Sequence, residues 1–185
     1  IIAAVGNTFQ QDGSEITEYC HGLEISSSHN VICGLVVSGF SGNGLRMDRD
    51  EAVYNHIYSN YIGTTPTGND TLRNGTGIHI SYDADRNRIG GAGPDSTNVV
   101  SGSYGNGIYI HDADSNVVIG NIIGLSASGD MALENGDSGI EISYGSTYNR
   151  IGGSKVSERN IISGNYYYGI NIEDEETDYN IVMGN

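Results

Sequence analysis

The chain has 185 residues, with 23 acidic side chains against 8 Lys and Arg, for a formal net charge of −15. Such a surface repels polyanions, which sets nucleic acid aside as a partner, and no apolar run is long enough to insert in a membrane. The 28 Gly, with only 2 Pro and no Trp, lack a three-residue period, so they argue for many turns and against collagen.

The N-terminus opens Ile1-Ile2-Ala3-Ala4-Val5-Gly6 without a basic leader. It reads as a processed end or as the interior of something longer, not as a signal peptide. Cys20 and Cys33 are too few for a disulfide framework, and their spacing leaves a single bridge open.

From Gly22 onward one pattern repeats. Gly-(Ile/Leu)-x-(Ile/Met) begins at Gly22, Gly44, Gly77, Gly107, Gly139 and Gly169. A polar turn follows each, then Asn-x-(Ile/Val) at Asn30, Asn55, Asn87, Asn116, Asn149 and Asn180. A second Asn series comes later in each unit, at Asn60, Asn98, Asn121, Asn160 and Asn185. The units alternate. One kind carries a loop between the two Asn series, after Gly90 and Gly152; the other carries it afterwards, following Gly63 and Gly124. Gly77 to Gly139 and Gly107 to Gly169 are each 62 positions, so the full repeat is a pair of units.

Ile-x-Ile alternation is a strand with one buried face. Short strands separated by turns cannot bury a core alone, but stacked at about 4.8 Å they bury their Ile in columns and pair every backbone group with the next unit. Gly before each Ile-x-Ile is expected to turn a tight corner. Asn at a repeated turn is expected to accept left-handed backbone and to bond along the stack. The expected fold is all-β: a single-stranded right-handed parallel β-helix of about six coils. It forms one domain over 1–185, read as a piece of a longer solenoid or multidomain protein.

The runs Asn87-Arg-Ile-Gly-Gly, Asn98-Val-Val-Ser-Gly, Asn149-Arg-Ile-Gly-Gly and Asn160-Ile-Ile-Ser-Gly, with the Gly-Ile-x-Ile strands, resemble the parallel β-helix repeats of the pectate-lyase-like superfamily. The likeness runs from about Cys20 to the end. It implies a fold shared by polysaccharide lyases, glycoside hydrolases, uronate epimerases, phage tailspikes and large surface proteins, and so leaves function open. In the enzymes that it resembles, the groove beside the Ile-x-Ile strands commonly holds the sugar chain.

If Ile78 and Ile80 point inward, His79 points outward. The outward columns are then Glu24, Arg46, His79, Tyr109, Glu141 and Asn171, followed by Ser26, Asp48, Ser81, His111, Ser143 and Glu173, then Arg49, Tyr82, Asp112, Tyr144 and Asp174. As catalytic candidates, Glu141 or Asp112 would serve as general acid or base, with His79 and His111 assisting and Arg46 steadying an anion. Glycoside hydrolysis needs two carboxyls roughly 5–9 Å apart. Tyr82, Tyr109 and Tyr144 are the candidate substrate-binding rings. The Asp83-Ala-Asp85 and Asp112-Ala-Asp114 turns align in adjacent coils, and Ca²⁺ would relieve the repulsion of stacked carboxylates with the hard oxygens that it prefers. Tyr166-Tyr167-Tyr168 suits a sugar or a protein partner, and equally packing against a neighbouring loop. Asn69-Asp-Thr71 and Asn74-Gly-Thr76 are glycosylation sequons, meaningful only in a secreted protein.

The functional expectation is a rigid acidic scaffold of an extracellular or cell-surface protein, in contact with polysaccharide or cell-surface glycan or serving adhesion. The alternatives are a carbohydrate-active enzyme, either lyase or glycoside hydrolase, and a spacer or filament segment that self-associates end to end.

Overall fold

The structure is a computed structural model that describes residues 2–5 and 19–185; the rest of the opening stretch lies outside the described residues. The chain winds as a parallel β-helix of about six coils, visiting three faces in turn. The first face stacks Leu23–Ile25, Asn43–Asp48, Thr76–Ser81, Ile108–His111, Ile140–Ser143 and Ile170–Ile172. The second stacks Val31–Cys33, His56–Tyr58, Arg88–Ile89, Val117–Val118, Arg150–Gly152 and Ile181–Met183. The third stacks Ile2–Val5, Leu35–Ser38, Tyr61–Ile62, Val99–Val100, Ile122–Ile123 and Ile161–Ile162. Strand pairing within every face is parallel.

Register matches the repeat. Leu23, Leu45, Ile78, Ile108, Ile140 and Ile170 form one column, and its four middle members are fully buried. With Ile57, Ile89, Ile62 and Ile123 they fill a single core, because each strand's pleat turns alternate side chains inward.

Asn columns line two corners inside the rod. Asn87 Oδ1 accepts the Asn55 backbone N–H at 2.8 Å, while its Nδ2 donates to the Ala52 and Ala84 carbonyls at 2.8 and 2.9 Å. The second column repeats this: Asn98 Oδ1 accepts the Asn60 N–H at 3.0 Å, and Asn98 Nδ2 donates to Asn121 Oδ1 at 2.8 Å. Amides satisfy backbone groups that the corner takes out of sheet pairing. A third, shorter set stands at Asn74 and Asn135, whose Oδ1 atoms accept the Phe40 and Ser103 N–H groups.

Three local expectations are corrected. Left-handed backbone falls one residue before the first Asn column, at His29, Tyr54, Arg86, Ser115, Tyr148 and Tyr179, and not on the Asn itself. The Gly that opens the first five of these runs, from Gly22 to Gly139, is needed for close approach of the next coil, and none of the six has left-handed backbone. A Cβ on Gly77 would lie 2.4 Å from the Gly107 carbonyl oxygen of the next coil. Finally, half of the second outward column is buried: Asp48, Ser81 and Ser143 are covered, because they bond to neighbours in the stack, whereas Ser26 and Glu173 are exposed. Ser81 Oγ donates to Asp48 Oδ1 at 3.0 Å, and Ser143 Oγ to the Tyr109 hydroxyl at 3.2 Å.

Candidate functional site

The first face brings five aromatic rings together on its outer side. His79 stacks on Tyr109 at 5.0 Å between centroids and 8° between planes. One position further along the outward pattern, His111 stacks on Tyr144 at 4.2 Å and 5°. Edge contacts join the pairs, with His79 to His111 at 6.1 Å and Tyr109 to His111 at 5.4 Å, and Tyr82 reaches His111 at 5.9 Å. His79, Tyr109 and His111 are half-buried, while Tyr82 and Tyr144 are exposed. The left-handed backbone at Tyr82 and Tyr144 aims these two rings off the end of the strand. Two of the catalytic candidates and all three substrate-binding candidates therefore fall in one patch.

Burial dominates the electrostatics. It pushes His79 down to about 4, with the neighbouring His111 and Arg46 acting the same way. Asn43 Nδ2 lies 3.1 Å from His79 Nδ1. With that amide donating, the neutral ring carries its proton on Nε2, which is buried and has no partner among the described residues. Burial raises Tyr109, and it raises Glu141 despite the Asn106 amide that donates to Glu141 Oε2 at 3.1 Å. Glu173, Asp137 and Asp174 add to the rise in Glu141.

Arg46 is occupied elsewhere. It pairs with Asp48 at 3.0 Å and faces His21 Nε2 at 3.5 Å. His21 Nδ1 accepts the Asn43 N–H at 3.0 Å, which places His21 in the structural frame, and burial followed by Arg46 lowers its pKa.

Asp112 stands apart from Glu141, three residues further along the strand and one coil away. It lines an open groove of about 610 Å³ with His111, Tyr144, Asp174, Glu175 and Glu176. Of the predicted pair, only Asp112 sits in that groove.

The stacked aspartates act as caps. Asp85 Oδ1 accepts the Asp114 N–H at 2.7 Å, and Asp114 Oδ1 accepts the Thr147 N–H at 2.6 Å. Burial, the largest influence, raises Asp85, and the Asp114 N–H opposes it. Asp83 is exposed, and its N–H donates to the Asp112 carbonyl at 2.8 Å. Among the described residues, no group of three or more His, Cys, Asp or Glu is placed to hold a metal ion.

Cys20 and Cys33 are free and exposed. Tyr166, Tyr167 and Tyr168 are all exposed. Of the two sequons, Asn69 is exposed, but Asn74 is fully buried and its amide donates to the Val37 carbonyl at 2.9 Å. Asn43 and Asn106, which steady His79 and Glu141, were not anticipated. They lie outside the Ile-x-Ile columns, and only stacking brings them to residues 36 and 35 positions away.

No helix is long and apolar enough to cross a membrane, among the described residues. Comparison with known proteins finds no matching family model, no matching curated protein and no matching solved structure.

Proposed function

We propose that the protein is a rigid acidic β-helical scaffold, extracellular or on a cell surface, that contacts polysaccharide through the outer side of its first face. The resemblance to pectate-lyase-like repeats supports this reading at the level of architecture. The observation that carries it is the five-ring patch of His79, Tyr82, Tyr109, His111 and Tyr144. Amphipathic rings on a rigid sheet offer apolar area at little entropic cost, and the adjoining carboxylates of Asp112 and Asp174 accept hydrogen bonds from sugar hydroxyls. Four carboxylates line the groove, so the glycan is neutral in charge, since a polyuronate would be repelled.

A panel of neutral and uronate polysaccharides, titrated against the protein and its Tyr144→Ala variant, tests this. Saturable binding of a neutral glycan that weakens in the variant is the expected result. Binding unaffected by Tyr144→Ala, or confined to polyuronates, defeats the reading.

Glu141 favours a second, enzymatic reading. Its raised pKa suits a general acid, and new reducing ends from any glycan in the panel, lost in Glu141→Gln, would establish it.

A further inference from the structure

The third face carries a cavity that shares no residue with the ring patch. Two walls bound it. The hairpins closed by the Thr64–Thr71 and Leu125–Ala132 bridges lead out of third-face strands, and they join where the Ala127 N–H donates to the Gly68 carbonyl at 2.9 Å. On the opposite edge, the insert after Gly90 leads into Val99–Val100. Between them lies a space of about 490 Å³, a size that suits a small molecule.

The two edges differ in chemistry. Pro66 and Ala127 line the hairpin side. The Tyr61 ring runs beneath it, with Cζ 3.5 Å from where a Cβ on Gly68 would sit. Leu35 and Ile122 lie half-buried in the floor. The insert side is polar. Ser59 and Thr97 each precede an Asn of the second column, and the pairing of Tyr61 with Val99 sets them one coil apart, about 4.8 Å. Asp95 stands two residues before Thr97 and lines the same space.

These three side chains are unspent. Among the described residues, Ser59, Asp95 and Thr97 make no side-chain hydrogen bond or ion pair, whereas Asp85 and Asp114 give their carboxylates to backbone N–H groups. Asp95 is also the single charged residue lining the cavity.

We propose that this cavity binds a small primary ammonium carried on an apolar body of about one ring. An ammonium has three N–H donors and no acceptor, and Asp95, Ser59 and Thr97 offer it three acceptors, one of them charged. The apolar body covers Leu35, Ile122 and Pro66. Other occupants fit less well. An organic anion is repelled by Asp95, and a neutral ligand leaves that charge unanswered. A bare divalent ion finds one carboxylate and two hydroxyls, fewer oxygen ligands than it takes.

The test follows backbone amide NMR signals during titration with 2-phenylethylammonium, its N,N,N-trimethyl analogue, 2-phenylethanol and methylammonium. Saturable shifts should centre on Ser59, Asp95 and Thr97. The primary amine should bind about tenfold more tightly than the alcohol, as a hydrogen bond to a charged group requires. It should also bind about tenfold more tightly than methylammonium, through the buried ring, and several-fold more tightly than the trimethyl analogue, which has no N–H to donate. Asp95→Asn should remove the margin over the alcohol and leave the alcohol unchanged. Glu51→Gln, at an exposed carboxylate of the first corner, should change neither, which separates the site from general attraction to an acidic protein. Thr97→Val should weaken the amine alone, and it serves if Asp95→Asn fails to fold. Equal affinity for amine and alcohol, an effect of Glu51→Gln as large as that of Asp95→Asn, or no saturable shift at these residues overturns the proposal.

Discussion

The first and third faces rest on equivalent inner columns. Ile78, Ile108 and Ile140 back the one, and Ile62, Val100 and Ile123 back the other. Outside, they diverge. His79, Tyr109 and Glu141 crown the first face, and Tyr61, Val99 and Ile122 crown the third. The inner columns carry the stability of both, and the pleat leaves each outward column to vary without disturbing the core. One rod can therefore present a ring patch on one face and apolar side chains on another.

Disrupting the shared frame should erase both faces together. Asn87→Ala strands the Asn55 N–H and the Ala52 and Ala84 carbonyls inside the rod, and it should cost about 3–5 kcal/mol. Urea denaturation would measure this, and a loss under 1 kcal/mol would show that the ladder is dispensable. Gly77→Ala forces a methyl against the Gly107 carbonyl and Val100 Cγ1 and should cost roughly 2–4 kcal/mol. Gly129→Ala, where nothing lies within 4 Å, isolates the price of the left-handed backbone and should cost only about 1 kcal/mol.

Separating the faces calls for gentler changes. Tyr144→Ala removes an exposed ring stacked on His111, so glycan affinity should fall about tenfold while the melting temperature barely moves. A fall of many degrees in the melting temperature would show that Tyr144 also braces the frame.

The smallest effect is a pH slope. His79 is held at about 4, below its ordinary 6.5, so the unfolded chain takes up the proton first as acidity increases. The native state should lose stability as pH drops from about 6.5 to about 4, with no further loss from this group below that. Glu141 and Asp85, both raised by burial, act oppositely near the carboxylate range. The signature is therefore the difference between the wild type and His79→Gln. Parallel melting-temperature profiles for the two would remove His79 from the account.

Much of the site was legible before folding. The period of the Gly-Ile-x-Ile runs placed His79 beside Tyr109 and Glu141, as the register shows. It also put Tyr82, His111 and Tyr144 on the same side. The reading failed where side chains choose partners. Asp48, Ser81 and Ser143 stand at outward positions yet are buried, and Asp85 and Asp114 spend their carboxylates on backbone N–H groups. Outward periodicity says which way a bond leaves the backbone, and nothing about what then covers the atom.

What the chain determined by itself was the stack: a strict two-residue alternation between corners admits one buried face, and only piling coil on coil can bury it. Tertiary structure alone decided how the loops meet. Sequence showed that they alternate, but the hydrogen bond from Ala127 N–H to the Gly68 carbonyl exists because coils two turns apart are brought within reach. Contacts of that kind depend on loop shape in three dimensions, and a linear period does not encode it.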